Sequence, residues 1–164
     1  MCGEDAPTIL IDADACPVKE EIMKVGFRYA VPMVFVANSG LRLPRHELIT
    51  MITVSKAFDA ADHEIVTRAG SKTIVVTADI LLAEECLRSG ARVINPNGKT
   101  FTVDMIGGAI AARAIMNDLR GAGDQGELAG RPMGAPAFSK ADRSRFLQTL
   151  DQALVQLKKT HVGS

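Results

Sequence analysis

Five aspartates lie where chemistry is expected, each at the end of a predicted strand or at the start of the helix that follows it. They are Asp12, Asp14, Asp59, Asp62 and Asp79. Asp12 directly follows an apolar run, and Asp14 comes two positions later. Two carboxylates this close repel each other unless a cation or a proton lies between them. The plainer interpretation, in which one acid caps the next helix and the other is solvated, accounts for only one of the pair.

The apolar run before Asp12 predicts a strand that is buried on both faces, as is typical of parallel strands under crossover helices. Further strands are predicted at residues 31–37, 49–54, 73–77 and 91–94. Helices are predicted at residues 17–29, 60–68 and 80–89, and from 102 to about 120. This alternation predicts a three-layer α/β/α fold with a mainly parallel central sheet.

The chain has 164 residues, which is enough for one domain with a proper core. We expect an α/β domain over residues 1–120, a flexible connection rich in Gly and Pro at 121–138, and a last helix at 139–160. That helix carries apolar residues at spacings of three and four, namely Phe146, Leu150, Leu154 and Leu157. Its apolar face is expected to pack on the same domain or on a second copy of the chain, which would make a homo-oligomer.

Composition excludes several classes of function. Lys plus Arg and Asp plus Glu both number 19, so the chain has a formal net charge of zero. It therefore has no overall positive charge that would attract nucleic acid or membranes, and any such binding must come from local patches. The chain has no Trp and few aromatic residues, which argues against a base-stacking platform. No apolar run reaches membrane-spanning length, so we expect a soluble cytoplasmic protein with no membrane partner.

Three scattered cysteines form neither a disulfide framework nor a zinc motif; they are Cys2, Cys16 and Cys86. Cys16 lies beside two carboxylates, which raise the pKa of a thiol. It is therefore expected to be a small packing residue rather than a nucleophile.

The acids at the strand ends are expected to share one site, because right-handed crossovers bring the carboxyl ends of parallel strands to one edge of the sheet. Mg²⁺ prefers oxygen ligands and keeps several waters, so two to four of these acids would suffice to bind it. A cation held there can activate a water and neutralise the charge that develops on a phosphodiester. For Asp59, a plain helix N-cap is an equally good interpretation.

Several stretches of the chain together resemble the bacterial YaiI/YqxD family, also called UPF0178 or domain of unknown function 188. The stretches are residues 12–19, 36–38, 58–66, 76–80, 113–120 and 136–146. The resemblance implies a PIN-like fold related to the NYN nucleases, whose active members cut RNA with clustered acids and Mg²⁺ or Mn²⁺.

The resemblance also implies roles for single residues. Asp12 corresponds to the acid after the first strand of PIN-like nucleases, Asp59 or Asp62 to the acid of the middle helix, and Asp79 to the acid after the fourth strand. The expected catalytic residues are Asp12, Asp14, Asp62 and Asp79, with Asp59 as a further metal ligand.

Substrate, with RNA favoured, is expected to meet basic and polar residues near these acids. The loop at residues 38–46 carries two arginines that could hold phosphates. Together with residues in the shared motifs, the expected substrate-binding set is Lys19, Asn38, Arg42, Arg45 and Arg113.

Two other functions compete with the nuclease. In a phosphatase of the haloacid-dehalogenase kind, Asp12 would be the nucleophile, Asp14 the proton donor and Thr77 part of the second motif. The sequence has neither a late strand ending in paired acids nor a cap insertion after the first helix. In a non-catalytic domain, the acids would bind no metal and the basic loop would bind RNA or a protein. Both enzymes require metal affinity, whereas the non-catalytic domain does not.

Overall fold

The computed structural model describes residues 7–56, 60–105 and 138–163. Five strands in this part of the chain form one sheet: β1 (Thr8–Asp12), β2 (Met33–Ala37), β3 (Ile49–Thr53), β4 (Thr73–Val76) and β5 (Arg92–Ile94). The strand order is β3-β2-β1-β4-β5, and every neighbouring pair is parallel. From central β1 the chain builds outward to β3, and then returns to the other side of β1 to form β4 and β5. The carboxyl ends of β1 and β4 therefore flank a topological switch point, where open α/β sheets bind their ligands.

Helices cover both faces of this sheet: α1 (Lys19–Tyr29), α2 (Ala60–Arg68), α3 (Ile80–Arg88) and α4 (Lys140–Gly163). The predicted three-layer α/β/α fold with a mainly parallel sheet is thus confirmed. The helix predicted from residue 102 begins as expected, since Thr102 Oγ1 accepts a 3.2 Å hydrogen bond from the Met105 N–H. The remainder of that predicted helix, and residues 121–137 of the predicted connection, lie outside the described residues.

The side chains of β1 alternate between two separate cores, as the pleat of a strand requires. Ile9 and Ile11 belong to the core under α1 and α4, whereas Leu10 belongs to the core under α2 and α3. Asp12 has the same parity as Leu10, so it lies on the α2 and α3 side of the sheet. Burial on both faces explains why the sequence before Asp12 is an unbroken apolar run.

Helix α1 is bounded by local backbone features and packs very closely on β2. It begins at Lys19 rather than at the predicted residue 17, because Val18 is the N-cap residue with a non-helical backbone. It ends at Tyr29, and the C-cap residue Ala30 has a left-handed φ of 55°. After this turn β2 begins at Met33, two residues later than predicted. A Cβ on Gly26 would lie 2.3 Å from Met33 Sδ, so only glycine permits this approach.

Helix α4 lies beside α1 on the same face of the sheet. The four residues of its apolar stripe are all buried in the shared core: Phe146, Leu150, Leu154 and Leu157. At its start, Ser139 Oγ accepts from the Asp142 N–H and Asp142 Oδ2 accepts from the Ser139 N–H, both at 3.1 Å, a reciprocal cap. None of the helices in the described ranges combines the length and apolar character needed to cross a membrane.

Candidate active site

The site is centred on Asp12, the last residue of β1. Its Oδ2 accepts a 2.9 Å hydrogen bond from the hydroxyl of Thr77, which directly follows β4. Thr77 is 1 % exposed, so this bond lies in the protected seam between the two strand ends. The pairing of β1 with β4 brings the two residues together, although 65 positions separate them in the chain.

Asp79 is tied to the same seam and also caps α3. Its backbone N–H donates to Thr77 Oγ1 at 3.0 Å. Its Oδ1 accepts from the N–H groups of Leu81 and Leu82, at 2.9 and 3.3 Å, which satisfies two of the free donors at the helix start. The cap occupies Oδ1 and leaves Oδ2 without a hydrogen bond from any described residue.

Asp14 connects the turn after β1 to the end of β2. The backbone N–H of Asn38 is shared between Asp14 Oδ1 and Oδ2, at 3.1 and 3.2 Å. Asp14 is otherwise exposed, in the single 3₁₀ turn Ala13–Ala15. Asn38 therefore contributes its main chain here, and its exposed side chain remains available to other groups.

The three acids are electrostatically coupled. Burial raises the pKa of the Asp12 carboxyl above its ordinary value; the Thr77 hydrogen bond lowers it in part, and the negative charges of Asp14 and Asp79 raise it further. The charges of Asp14 and Asp79 therefore act on Asp12 near the carboxyl ends of β1 and β4. That these acids share one pocket stays a prediction. A positive charge placed among them would relieve the repulsion on Asp12.

Asp62 lies in the first turn of α2 and is half-buried. Its charge acts on Cys86, a buried thiol of α3. Burial, then the charges of Glu85, Asp62 and Asp12, raises the pKa of Cys86 to about 12. Asp62 and Asp12 therefore lie on the same side of the sheet around Cys86. Asp59 falls outside the described residues.

The donors at this site suit a hard divalent cation. Asp12, Asp14 and Asp79 present only oxygen, which Mg²⁺ and Mn²⁺ prefer. In the described ranges, no three His, Cys, Asp or Glu side chains are close enough to enclose a metal together. Mg²⁺ is commonly held by one or two carboxylates while water completes its shell. The arrangement therefore fits an open site with few protein ligands, rather than a closed cage.

Two of the basic residues expected to bind substrate line a cleft on the α1 and α4 face of the sheet. The cleft has a volume of about 540 Å³, and Lys19 and Arg42 line it. Arg45 is exposed in the same loop but does not line the cleft, and Arg113 is outside the described residues. Lys19 Nζ donates to the Cys16 carbonyl at 2.8 Å.

Sequence reasoning did not assign a role to two residues of this region, Glu21 and Arg143. Glu21, in the first turn of α1, looks like a surface acid that favours the helix dipole. Instead it is 9 % exposed, and its Oε2 accepts a 3.0 Å bond from Arg143 Nη1 of α4. Only its position one residue before the buried Ile22 hints at this, since neighbouring helix positions often share partial burial.

Cys16 lines the cleft as a packing residue. It is 6 % exposed and belongs to the core under α1 and α4. Burial is the largest cause that raises the pKa of its thiol to about 11, ahead of the charges of Asp12 and Glu21. The thiol is therefore neutral at physiological pH, which suits packing and not nucleophilic attack.

A family model described as "Uncharacterized BCR, YaiI/YqxD family" matches residues 10–156. The chain is 57 % identical over 154 residues to a UPF0178 protein of Sphingopyxis alaskensis, covering 94 % of this chain and 97 % of that one. It is 52 % identical over 150 residues to a UPF0178 protein of Jannaschia, covering 92 % and 94 %. A UPF0178 protein of Bradyrhizobium diazoefficiens is 46 % identical over 161 residues, covering 98 % and 93 %. No solved structure matches the chain.

Proposed function

The chain belongs to the YaiI/YqxD family, and we propose that it is a divalent-metal-dependent phosphodiester hydrolase with RNA as its favoured substrate. The observation that carries this proposal is the electrostatic coupling of Asp12 to Asp14 and Asp79 at the switch point of a parallel sheet. A half-buried acid that two other acids destabilise is a costly arrangement for a purely structural role. It becomes favourable when a cation is present.

In this proposal one or two of Asp12, Asp14 and Asp79 bind Mg²⁺ or Mn²⁺ directly, and the other acids, with Asp62 of α2, act on the cation through its water ligands. Such a cation, when bound, lowers the pKa of a water ligand and offsets charge on the phosphodiester. Thr77 keeps Asp12 oriented by donating to Oδ2, and no described residue donates a hydrogen bond to Oδ1. The Asn38 N–H donates to both oxygens of Asp14 and holds that carboxylate near the end of β2.

The hydrogen bonds that Asp12 and Asp79 make within the described structure use only one oxygen of each carboxylate. Capping α3 uses only Oδ1 of Asp79, and Thr77 uses only Oδ2 of Asp12. Each carboxylate therefore retains one oxygen that no described residue engages. A PIN-like fold and nuclease chemistry, both implied by the family resemblance, agree with this arrangement and remain part of the proposal.

Cleavage of a labelled panel tests the proposal. Single-stranded RNA, duplex RNA, single-stranded DNA and p-nitrophenyl phosphate are incubated with the protein in Mg²⁺, in Mn²⁺ and in chelator. We expect RNA to be cut only with metal, and Asp12→Asn to abolish cutting. Glu84→Gln is the matched control, because that exposed α3 carboxylate pairs with Arg88 away from the switch point. Turnover of the phosphate monoester alone would favour the phosphatase, and no turnover of any substrate would favour the non-catalytic domain.

A further inference from the structure

The cleft lined by Lys19 and Arg42 includes none of the strand-end acids and is a separate feature of the described structure. It lies where α1, the loop after β2 and α4 meet, on the side of the sheet opposite to Asp12. Its lining is mixed: the charged residues are Lys19, Glu20, Glu21, Arg42 and Arg143. Pro17, Met23, Leu43 and Pro44 form apolar walls. Its volume of about 540 Å³ is within the range of small-ligand sites in proteins.

The charged residues that line the cleft leave a small positive excess, because three cations face two carboxylates. Only one oxygen of Glu21 is engaged, since its Oε1 is buried with no hydrogen-bond partner among the described residues. Glu21 Oε2 binds Arg143 Nη1, while Arg42 and Lys19 make no ion pair with any described residue. Of the lining acids only the exposed Glu20 remains to offset them. A cleft with more cations than carboxylates attracts an anionic ligand.

Arg143 is held in place from two sides. Glu21 binds one of its nitrogens, and its guanidinium carbon lies 5.2 Å from the centre of the Phe138 ring. A guanidinium carries five N–H donors in a fixed fork, so several remain for a ligand. The exposed fraction of its side chain, 46 %, keeps those donors accessible. Arg143 is thus oriented before any ligand arrives, which reduces the entropy lost on binding.

The amino end of α1 also opens onto the cleft. Val18, its N-cap residue, provides no side-chain hydrogen bond to the first-turn N–H groups. Those donors and the helix dipole add to the attraction for an anion.

We propose that this cleft binds the phosphate of a nucleotide-sized ligand through Arg42, Arg143 and Lys19. Arginine forks and a lysine are the usual partners of phosphate oxygens. The walls made by Met23 and Leu43 receive the nucleoside part. The phosphate belongs either to a nucleic acid strand that also reaches the acids or to a free nucleotide. If the ligand is a nucleic acid strand, this proposal rests on the proposed function; if it is a free nucleotide, it does not.

Binding is measured in chelator, so that the result does not depend on the acids or on any metal. Amide chemical shifts are followed by NMR during titration with UMP, AMP, inorganic phosphate, uridine, adenosine and a single-stranded RNA trinucleotide. We expect UMP and AMP to shift amides around Lys19 and Arg42, with affinities at least about tenfold above those of the nucleosides. A trinucleotide tighter than UMP identifies a strand as the ligand, and the reverse order identifies a free nucleotide.

Variants then assign the contacts. Arg42→Ala and Arg143→Ala should each weaken UMP binding about tenfold, whereas Arg88→Ala, an exposed arginine of α3, should leave it unchanged. Arg143→Ala leaves buried Glu21 unpaired and could unfold the chain, but Arg42 is exposed and unpaired among the described residues, so its variant stays informative. The proposal is overturned if uridine binds as well as UMP, if Arg88→Ala weakens binding equally, or if no phosphate compound shifts these amides. If the cleavage assay fails while UMP still binds, the proposed function fails and the proposal for the cleft does not.

Discussion

The hydroxyl of Thr77 donates to Asp12 Oδ2 at 2.9 Å and accepts from the Asp79 N–H at 3.0 Å. One buried hydroxyl therefore joins the two acids that end β1 and precede α3. It lowers the pKa of Asp12 against the larger opposing effect of burial. The relative position of the two acids and the charge on Asp12 both depend on this one group.

Replacing Thr77 by Val removes the hydroxyl while preserving the branched shape of the side chain. The pKa of Asp12 should rise further, because the only contribution that lowers it is lost. The free energy of unfolding at neutral pH should fall by about 1–3 kcal/mol, since a buried bond to a carboxylate is lost. Carboxyl ¹³C NMR titration and urea denaturation measure the two effects. Thr77→Ser, which keeps the hydroxyl, should stay near the wild type; an unchanged Asp12 pKa in the Val variant would contradict this role.

The raised pKa of Asp12 predicts how stability depends on pH. In the unfolded chain Asp12 loses its proton near the ordinary pKa of 3.8, whereas the folded state holds the proton to a higher pH. The free energy of unfolding therefore falls as pH rises from 3.8 to the folded pKa, and it stays lower at all higher pH values. Asp12→Asn cannot ionise and keeps an oxygen for Thr77. In chelator at pH 7 it should melt above the wild type, by about 2–4 °C for each kcal/mol relieved, and the advantage should shrink as pH falls toward 3.8. A lower Tm for Asp12→Asn at pH 7, with Glu84→Gln unchanged, would show that the carboxylate stabilises the apo fold.

Two substitutions of Asp79 separate its cap from its charge. Asn also caps helices well, so Asp79→Asn removes the charge and keeps the bonds to Leu81 and Leu82. Asp79→Ala removes both, and it should cost about 1 kcal/mol of unfolding free energy relative to Asp79→Asn. Without metal, Asp79→Asn should be at least as stable as the wild type, because repulsion with Asp12 is relieved. If Asp79→Asn is less stable than the wild type in urea denaturation, the charge of Asp79 stabilises the metal-free protein and the repulsion argument fails.

The placement of α1, and with it Lys19, depends on Gly26. A Cβ there would overlap Met33 Sδ at 2.3 Å and Cε at 2.7 Å, so Gly26→Ala must displace either the buried Met33 side chain or α1 itself. We expect a loss of about 1–3 kcal/mol in unfolding free energy, measured by chemical denaturation. Gly70→Ala is the control, because its Cβ would meet no atom within 4 Å. A Gly26→Ala variant as stable as Gly70→Ala would mean that the helix is not packed so closely.

Much of the fold could be predicted from the sequence because its signals are local. The apolar run ending at Asp12 specified a doubly buried strand, and the stripe from Phe146 to Leu157 specified one apolar helix face. Strand order is not a local property, so the contact of Thr77 with Asp12 could not be predicted. The same holds for Glu21 and Arg143, whose ion pair joins positions 122 residues apart. Asp59 and Arg113 stay predictions, since they lie outside the described residues.

The central claim is that the acids around Asp12 bind one divalent cation, directly or through its water ligands, and thermal unfolding with and without Mn²⁺ tests it most directly. A ligand that binds only the folded state stabilises it by about 2.7 kcal/mol at a hundredfold excess over its dissociation constant. The account predicts that Mn²⁺ raises the Tm of the wild type and of Glu84→Gln, and that Asp12→Asn and Asp79→Asn lose most of this gain. An unchanged wild-type Tm in saturating Mn²⁺, or an equal gain in Asp12→Asn, would contradict it.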